Sequence, residues 1–228
     1  MFVVIFEVQP KQERFDEYLG LAKKLKPELE AIDGFIEVER FESKHTKGRV
    51  LSLSTWRDEK SVVRWRTHGG HHQVQEKGRD EVFADYHLRV GEVTADSRPP
   101  KGLAVKEQRY DETEIGAAKA VTLTEITPDA GKRETSADAL LNQLGCAPSA
   151  AGLTGTEVFE SIYNPGKLVI LASWRDADAA AGCMPKKFGD AASVRHRVVR
   201  VIRDYGMFER REAPQYYPEV GRANATGR

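Results

Sequence analysis

The feature that most constrains this chain is an internal repeat. Displaced by 118 positions, Phe41-Glu42-Ser43 falls on Phe159-Glu160-Ser161, and Trp56-Arg57-Asp58 falls on Trp174-Arg175-Asp176. The same displacement lays Glu7 and Pro10 on Glu125 and Pro128, and Gly34 and Gly48 on Gly152 and Gly166, with no gap from Phe2 to Asp58. Ten of the 25 positions from Gly34 to Asp58 are identical. A chain of 228 residues has room for two domains of about 100 residues, and the repeat decides for two over one.

Hydrophobic periodicity names the elements of each copy. The stretch 2–8 is rich in β-branched and aromatic residues, and in the second copy Val121, Leu123 and Glu125 alternate with Thr122, Thr124 and Ile126. That period of two predicts a strand with one buried face, closed by Pro10 or Pro128. A helix is predicted over 11–32, where Phe15, Tyr18, Leu21, Ala22, Leu25 and Leu29 recur at helical spacing. Its counterpart runs over roughly 136–144, and Asp33-Gly34 ends the first helix. A hairpin follows: 35–42 and 50–56 flank 44–48, and 154–161 and 168–174 flank Asn164-Pro165-Gly166. A second helix begins near Asp58 or Asp176, each well placed as an N-cap. The last strand is expected over 86–93 and 197–202, where the copies realign at a displacement of 108. The second copy has therefore lost about ten residues between Asp176 and Arg195.

Each copy thus reads β-α-β-β-α-β, the ferredoxin-like order. The fold expected is α+β, two tandem ferredoxin-like domains over 1–97 and 118–217. Residues 98–117, with Pro99-Pro100, form a linker, and 218–228 a flexible tail. A four-stranded sheet covered by helices on one face leaves the other face bare. The second copy can cover it in cis, which predicts an internal pseudo-dimer packed sheet to sheet; further homo-oligomerisation stays open.

Charge narrows the function classes. With 35 basic and 35 acidic residues and no long run of either sign, nucleic acid and anionic membrane lack electrostatic support as partners. No apolar run nears the roughly 20 residues that span a bilayer, and the N-terminus lacks a basic leader region. A cytoplasmic location is expected, with Cys146 and Cys183 as reduced thiols outside any CxxC or Cys/His cluster.

Several runs carry a family resemblance: Val3-Val4-Ile5-Phe6-Glu7-Val8, the Gly34-Phe35 turn, Arg40-Phe41-Glu42-Ser43, and 51–58 ending in Trp56-Arg57-Asp58. Trp65 and His71 on the second helix and the closing run 83–90 complete it. Each copy resembles the antibiotic biosynthesis monooxygenase (ABM) family of the dimeric α/β-barrel superfamily. The resemblance implies a pocket in each domain between sheet and helices, near the second helix.

In the first copy that position offers Trp65, His68, His71 and His72, three histidines within five residues. Imidazole carries protons near pH 7, so His71 is a candidate base, with Trp65, His68 and His72 lining a substrate. No acidic or cysteine partner at ligand spacing supports a metal. Glu7, repeated as Glu125, is the second candidate base, since burial raises a carboxylate pKa. Tyr86 and Leu88 alternate with His87 and Arg89, making Tyr86 a pocket candidate and Arg89 a salt-bridge candidate. In the second copy Cys183 replaces Trp65 and Gly189 stands at the His71 position, so one working pocket is expected, in the first copy.

The resemblance implies oxidation of a small aromatic or quinol-like molecule by dioxygen, with no cofactor. The alternative is a non-enzymatic small-molecule-binding or stress-associated barrel. Some relatives bind or degrade haem, but they carry a histidine about ten residues beyond the helix tryptophan and an asparagine on the first strand. Gln75 and Glu7 stand there instead and count against haem.

Overall fold

A computed structural model of the chain describes residues 1–128, 137–144, 146, 149–183 and 191–221. The first copy forms β1 (Phe2–Pro10), α1 (Phe15–Glu30), β2 (Phe35–Ser43), β3 (Val50–Trp56), α2 (Glu59–Arg66), α3 (Gly69–Lys77) and β4 (Phe83–Asp96). The second forms β5 (Ala120–Pro128), α4 (Ala137–Gln143), β6 (Leu153–Ser161), β7 (Leu168–Trp174), α5 (Ala177–Ala181) and β8 (Ala191–Gly206). The eight strands close into one antiparallel barrel in the order β1-β3-β2-β6-β7-β5-β8-β4. Each copy therefore supplies four adjacent strands in ferredoxin-like order, joined at the β2–β6 and β4–β8 seams.

Strand registers confirm both displacements read from the sequence. Glu7 faces Leu51 and His87, while Glu125 faces Val169 and Arg195. At the seams Glu42 lies opposite Glu160 and Glu92 opposite Arg200, so each residue meets its own repeat equivalent. A pseudo-two-fold axis accordingly runs through both seams.

Alternation along the strands sends the residues of both copies inward. Val3, Ile5, Leu51 and Leu53 meet Val121, Leu123, Val169 and Leu171 in one buried cluster. At roughly 1.5–3 kcal/mol for each fully buried aliphatic side chain, this shared core is the main force holding the copies together. Two pseudo-symmetric ion pairs lie within it. Arg89 donates to Glu7 at 2.5 Å and to Ser173 at 2.7 Å; Arg197 donates to Glu125 at 2.7 Å and to Thr55 at 2.9 Å. Each arginine thus reaches from its own half to a hydroxyl of the other.

Both second helices start as the sequence predicts, with Asp58 accepting from the Ser61 N–H and Asp176 from the Ala179 N–H, each at 2.8 Å. The first copy's second helix is interrupted, however. Helix α2 stops at Arg66 and α3 restarts at the poor helix formers Gly69-Gly70. A π turn over Gly78–Val82 then leads into β4. Strands β4 and β8 are longer than predicted because they pair with each other along the seam, from His87 opposite Gly206 to Asp96 opposite Arg197. The segment 97–119 has no regular element, yet it is docked: Leu103 and Val105 pack on the barrel core. The N–H groups of Gln108 and Arg109 donate to buried Glu92 at 2.6 and 2.9 Å. Ser136, where the second copy's first helix was expected to start, Gly189, which aligns with His71, and residues 222–228 of the expected tail lie outside the described residues. Among the described residues no helix is long and apolar enough to cross a membrane.

Candidate active site

A cavity of about 200 Å³ lies between the outer face of the first copy's sheet and its helices. Two cross-strand rows form its floor. One runs Arg40, Ser52, Phe6, Leu88, Tyr205 over β2, β3, β1, β4 and β8. The next runs Val38, Ser54, Val4, Val90, Arg203 over the same strands. The last member of each row comes from the second copy, so the closed barrel extends the first copy's floor by one strand. Leu21, Ala22, Leu25 and Leu29 of α1 form an apolar wall, as their helical spacing requires. Space of this size is ample for a small organic molecule, since an apolar cavity of about 150 Å³ already admits benzene.

Trp65 and His71 meet on the opposite wall. Their rings stack with centroids 4.2 Å apart and planes 13° from parallel. The break between α2 and α3 makes this possible, because it folds His71 back over the end of α2. There His71 Nδ1 lies 3.0 Å from the Trp65 carbonyl oxygen. A carbonyl only accepts, so Nδ1 carries the proton, and Nε2 keeps its lone pair with no protein partner among the described residues. Withdrawal from water holds the His71 pKa down to about 4; the Trp65 carbonyl opposes that shift, and the charges of His68 and His72 reinforce it. The ring is therefore neutral at physiological pH.

Tyr86 occupies the third wall. Its hydroxyl oxygen accepts from Arg79 at 2.7 Å and from Arg210 at 2.6 Å. A phenol oxygen has two acceptor positions and one proton. With both acceptor positions filled by guanidinium groups, the Tyr86 proton is left to donate into the cavity. Arg79 is fixed by the π turn that precedes β4, where it is only 3% exposed and also donates to the Met207 carbonyl at 3.2 Å. Arg210 belongs to the segment after β8, which crosses the cavity mouth with Pro214, Gln215 and Tyr217. Gln215 donates to the Arg66 carbonyl, and the buried Tyr217 donates to Gln75 Oε1 at 3.0 Å. The second copy thus provides part of the floor and the cover of the first copy's cavity.

The structure brings together three of the six sequence candidates, Trp65, His71 and Tyr86, at the cavity. The other three stand apart. His68 stacks on Trp65 at 5.7 Å and lies 3.4 Å from Glu28, while His72 stacks on Tyr217 and lies 3.4 Å from Glu76. Glu7 is on the opposite face of β1, inside the barrel, because the period of two that aims Val4 and Phe6 at the cavity turns Val3, Ile5 and Glu7 away. Burial opposes ionisation of Glu7, but the hydrogen bond from His87 and the charges of Arg89, Arg49 and His87 outweigh it, leaving a pKa of about 2. Glu7 is thus a fixed carboxylate, where the burial argument led toward a raised pKa.

Sequence reasoning missed Arg66, Arg79, Arg203, Tyr205, Arg210 and Tyr217. The repeat gives no signal for the residues from β8, because the equivalents of Arg203 and Tyr205 in the first copy are Ala95 and Ser97. The tyrosines at 205, 216 and 217 were the available hint that the end of the chain is not plain polar tail.

In the second copy the corresponding space is filled. Ile170 and Ala172 replace Ser52 and Ser54, and they pack with Leu140, Leu144, Cys146 and Cys183. The two sulfurs lie 2.7 Å apart and buried, so the thiols are neighbours despite their spacing in sequence. Among the described residues no group of three His, Cys, Asp or Glu side chains is arranged to hold a metal.

Comparison with known proteins bears on this geometry. Residues 1–77 match the model of the antibiotic biosynthesis monooxygenase family. A jasmonate monooxygenase of Pyricularia oryzae is 46% identical over 223 residues, covering 96% of this chain and 99% of the relative. Among solved structures, a candidate monooxygenase from Lactobacillus acidophilus overlaps 89% of this chain and 94% of its own, with 10% identity and a TM-score of 0.40. An anthrone oxidase-like protein covers 94% and 96%, with 10% identity and a TM-score of 0.37.

Proposed function

The chain belongs to the antibiotic biosynthesis monooxygenase family, whose function is of the monooxygenase type, and on that premise we propose that it uses dioxygen to oxidise a small enolisable ketone or phenol in the first copy's cavity. One observation carries this reading. Across a single apolar cavity, a neutral imidazole with an unshared nitrogen accompanies a phenol whose oxygen already accepts from two guanidinium groups, leaving its proton to donate. The first is suited to remove a proton, the second to stabilise the oxyanion that results.

In the reaction His71 Nε2 takes a proton from the phenol, or from a methylene beside the carbonyl. Tyr86, backed by Arg79 and Arg210, donates to the oxygen on which charge develops. The anion passes one electron to dioxygen, and the radical pair joins as a peroxide. Loss of water then leaves a new carbonyl. In balance, the methylene gives up both hydrogens, one oxygen atom stays on its carbon, and the other leaves as water. The substrate supplies all the electrons, and no cofactor is required. Magnitudes decide how the work divides. Each pKa unit by which the substrate exceeds the base costs about 1.36 kcal/mol, so a base of pKa about 4 depends on its neighbours. Stabilisation of the oxyanion therefore carries most of the step.

An anthrone and a cyclopentanone both offer a suitable methylene. The jasmonate for which the Pyricularia relative is named contains a cyclopentanone, and 46% identity over nearly the whole of both chains favours that class. A binding role without chemistry fits a space filled by side chains, which describes the second copy rather than the first. Incubation of jasmonate and an anthrone, separately, under 18O2 tests the proposal. One 18O atom is expected in the product of one of them, with the His71→Ala rate at least tenfold lower. Equal rates for the two proteins remove His71 from the mechanism, and no label in either product removes the reading.

A further inference from the structure

Buried charge inside the barrel is matched, and in the cavity it is not. Arg89 and Arg197, at 3% and 1% exposure, are each paired to a carboxylate. The cavity is lined by Arg40, Arg66, Arg79, Arg203 and Arg210, and none of the five makes an ion pair among the described residues. Its one acidic lining residue, Glu59, is already held by Arg109 at 2.6 and 2.8 Å. Arg79 and Arg210 are committed to Tyr86 and to backbone carbonyls. Arg40 hydrogen-bonds the Tyr18 hydroxyl on α1, but Arg66 and Arg203 are different. Both are half-buried, and neither guanidinium donates a hydrogen bond to any described residue.

Withdrawing a guanidinium from water without a partner destabilises a fold, and native chains keep such groups paired. Two unmatched forks at one cavity therefore point to a partner that arrives from outside. The fork matches a carboxylate by two parallel N–H···O bonds, which a point charge such as lysine does not. The two residues come from different elements, Arg66 from the end of α2 and Arg203 from β8 of the second copy. Tyr205, on the same floor, lies within the field of both: burial raises its pKa to about 12 although the charges of Arg66, Arg210 and Arg203 oppose the rise. Asp111, the acid whose field reaches Arg203, is bound to Arg109.

We propose that the cavity takes a small apolar molecule bearing a carboxylate, and that Arg66 and Arg203 form the subsite that holds this carboxylate. The subsite rests on the reading of the cavity as the substrate site. It orients the molecule with its anionic end at the β8 side and its apolar body over Phe6, Leu88 and the α1 wall. The ligand-free protein is affected as well. Removing either charge relieves an uncompensated desolvation, so it should leave the fold as stable or more stable while weakening the ligand.

Calorimetric titration under nitrogen, with jasmonic acid and methyl jasmonate as probes, tests this without turnover. The acid is expected to bind wild type at least tenfold more tightly than the ester, and added salt to weaken only the acid. Arg66→Met and Arg203→Met are each expected to bring the acid down to the affinity of the ester, leave the ester unchanged, and keep or raise the thermal midpoint. Arg203→Lys should retain part of the preference. Equal binding of acid and ester to wild type overturns the proposal, as does a preference that survives in both Met variants, or failure of both probes to bind. If acid and ester bind equally and both take up 18O on admission of oxygen, the oxygenase reading stands and the subsite falls. If the acid is preferred but acquires no label, the reverse holds.

Discussion

His71 and Tyr86 are the two side chains on which the proposed chemistry depends. An ordinary histidine loses its base form below about pH 6.5, but His71 stays neutral down to about 4. The rate of oxidation should therefore be flat from pH 8 to 5 and fall only as the pH approaches 4; an inflection near 6.5 assignable to His71 contradicts its placement as the base. Tyr86→Phe removes the inward proton and leaves Arg79 and Arg210 without their shared acceptor. A loss of about 10²–10³ in kcat is expected, the range for one oxyanion donor, with substrate affinity changed far less. Trp65 and His71 were legible through the family resemblance, which points to the second helix, and Tyr86 follows from strand alternation. Glu7 misled for the same physical reason: alternation fixes which residues share a face, but not which face looks at helices and which at the barrel. Arg66 and Arg203 were illegible because an unpaired arginine differs from a paired one only in three dimensions.

The elements explain why the cavity has its shape. Thr67-His68 and Gly69-Gly70 break the second helix and fold His71 onto Trp65, which a continuous helix would prevent. The N-cap at Asp58 marked where the second helix starts and carried no sign of the break. Strand β4 must approach β8 closely at Gly91, where an added Cβ would lie 2.3 Å from Val199 Cγ1 and 2.7 Å from the Arg200 carbonyl oxygen. The second of these is backbone and cannot swing aside. Gly91→Ala should then cost about 1–3 kcal/mol, as overpacking does, read as a lowered denaturant midpoint. Midpoints that match within error would mean that the seam is looser than the register implies. The covering segment after β8 carried no predicted element, yet Tyr217, the last residue of the expected second domain, is buried against His72 and Gln75. Tyr217→Ala should raise KM with little effect on kcat, because it loosens the cover without touching the reacting groups.

For the molecule as a whole, closure of the barrel within one chain is the consequence of duplication, and it was read from the repeat before any side chain was placed. What the repeat could not convey is how unequal the halves are. The strands of both build one core, whereas among the described residues the space between sheet and helices is open in the first half and packed with side chains in the second, and the second half supplies the cavity's floor edge and cover. The pseudo-symmetric ion pairs predict how the barrel responds to acid. Glu7 has a folded pKa of about 2 against an ordinary 4.5, and Glu125 is lowered as well: burial opposes that shift, but the charges of Arg197, Lys167 and Arg195 prevail. Depressed carboxyl groups give stability that is fully present above their unfolded pKa and lost as pH falls through the folded one. The loss should thus fall between about pH 4.5 and 2. Arg89→Met takes from Glu7 its buried partner and leaves it only the more exposed Arg49 and His87, which should cost about 1.5–3 kcal/mol and move acid unfolding to higher pH. Replacing both partners by apolar residues should recover most of that loss, and an Arg89→Met protein as acid-stable as wild type would refute the pairing.

The proposed oxygen chemistry is confined to the first copy's cavity. Ser52 is on the cavity floor, and its repeat equivalent in the packed half is Ile170. Ser52→Ile therefore gives the first half the side chain that already fills the second. Measured as 18O incorporated from 18O2 into the substrate, activity should fall at least a hundredfold in Ser52→Ile while the thermal midpoint holds. Incorporation at the wild-type rate by the folded variant would place the chemistry elsewhere.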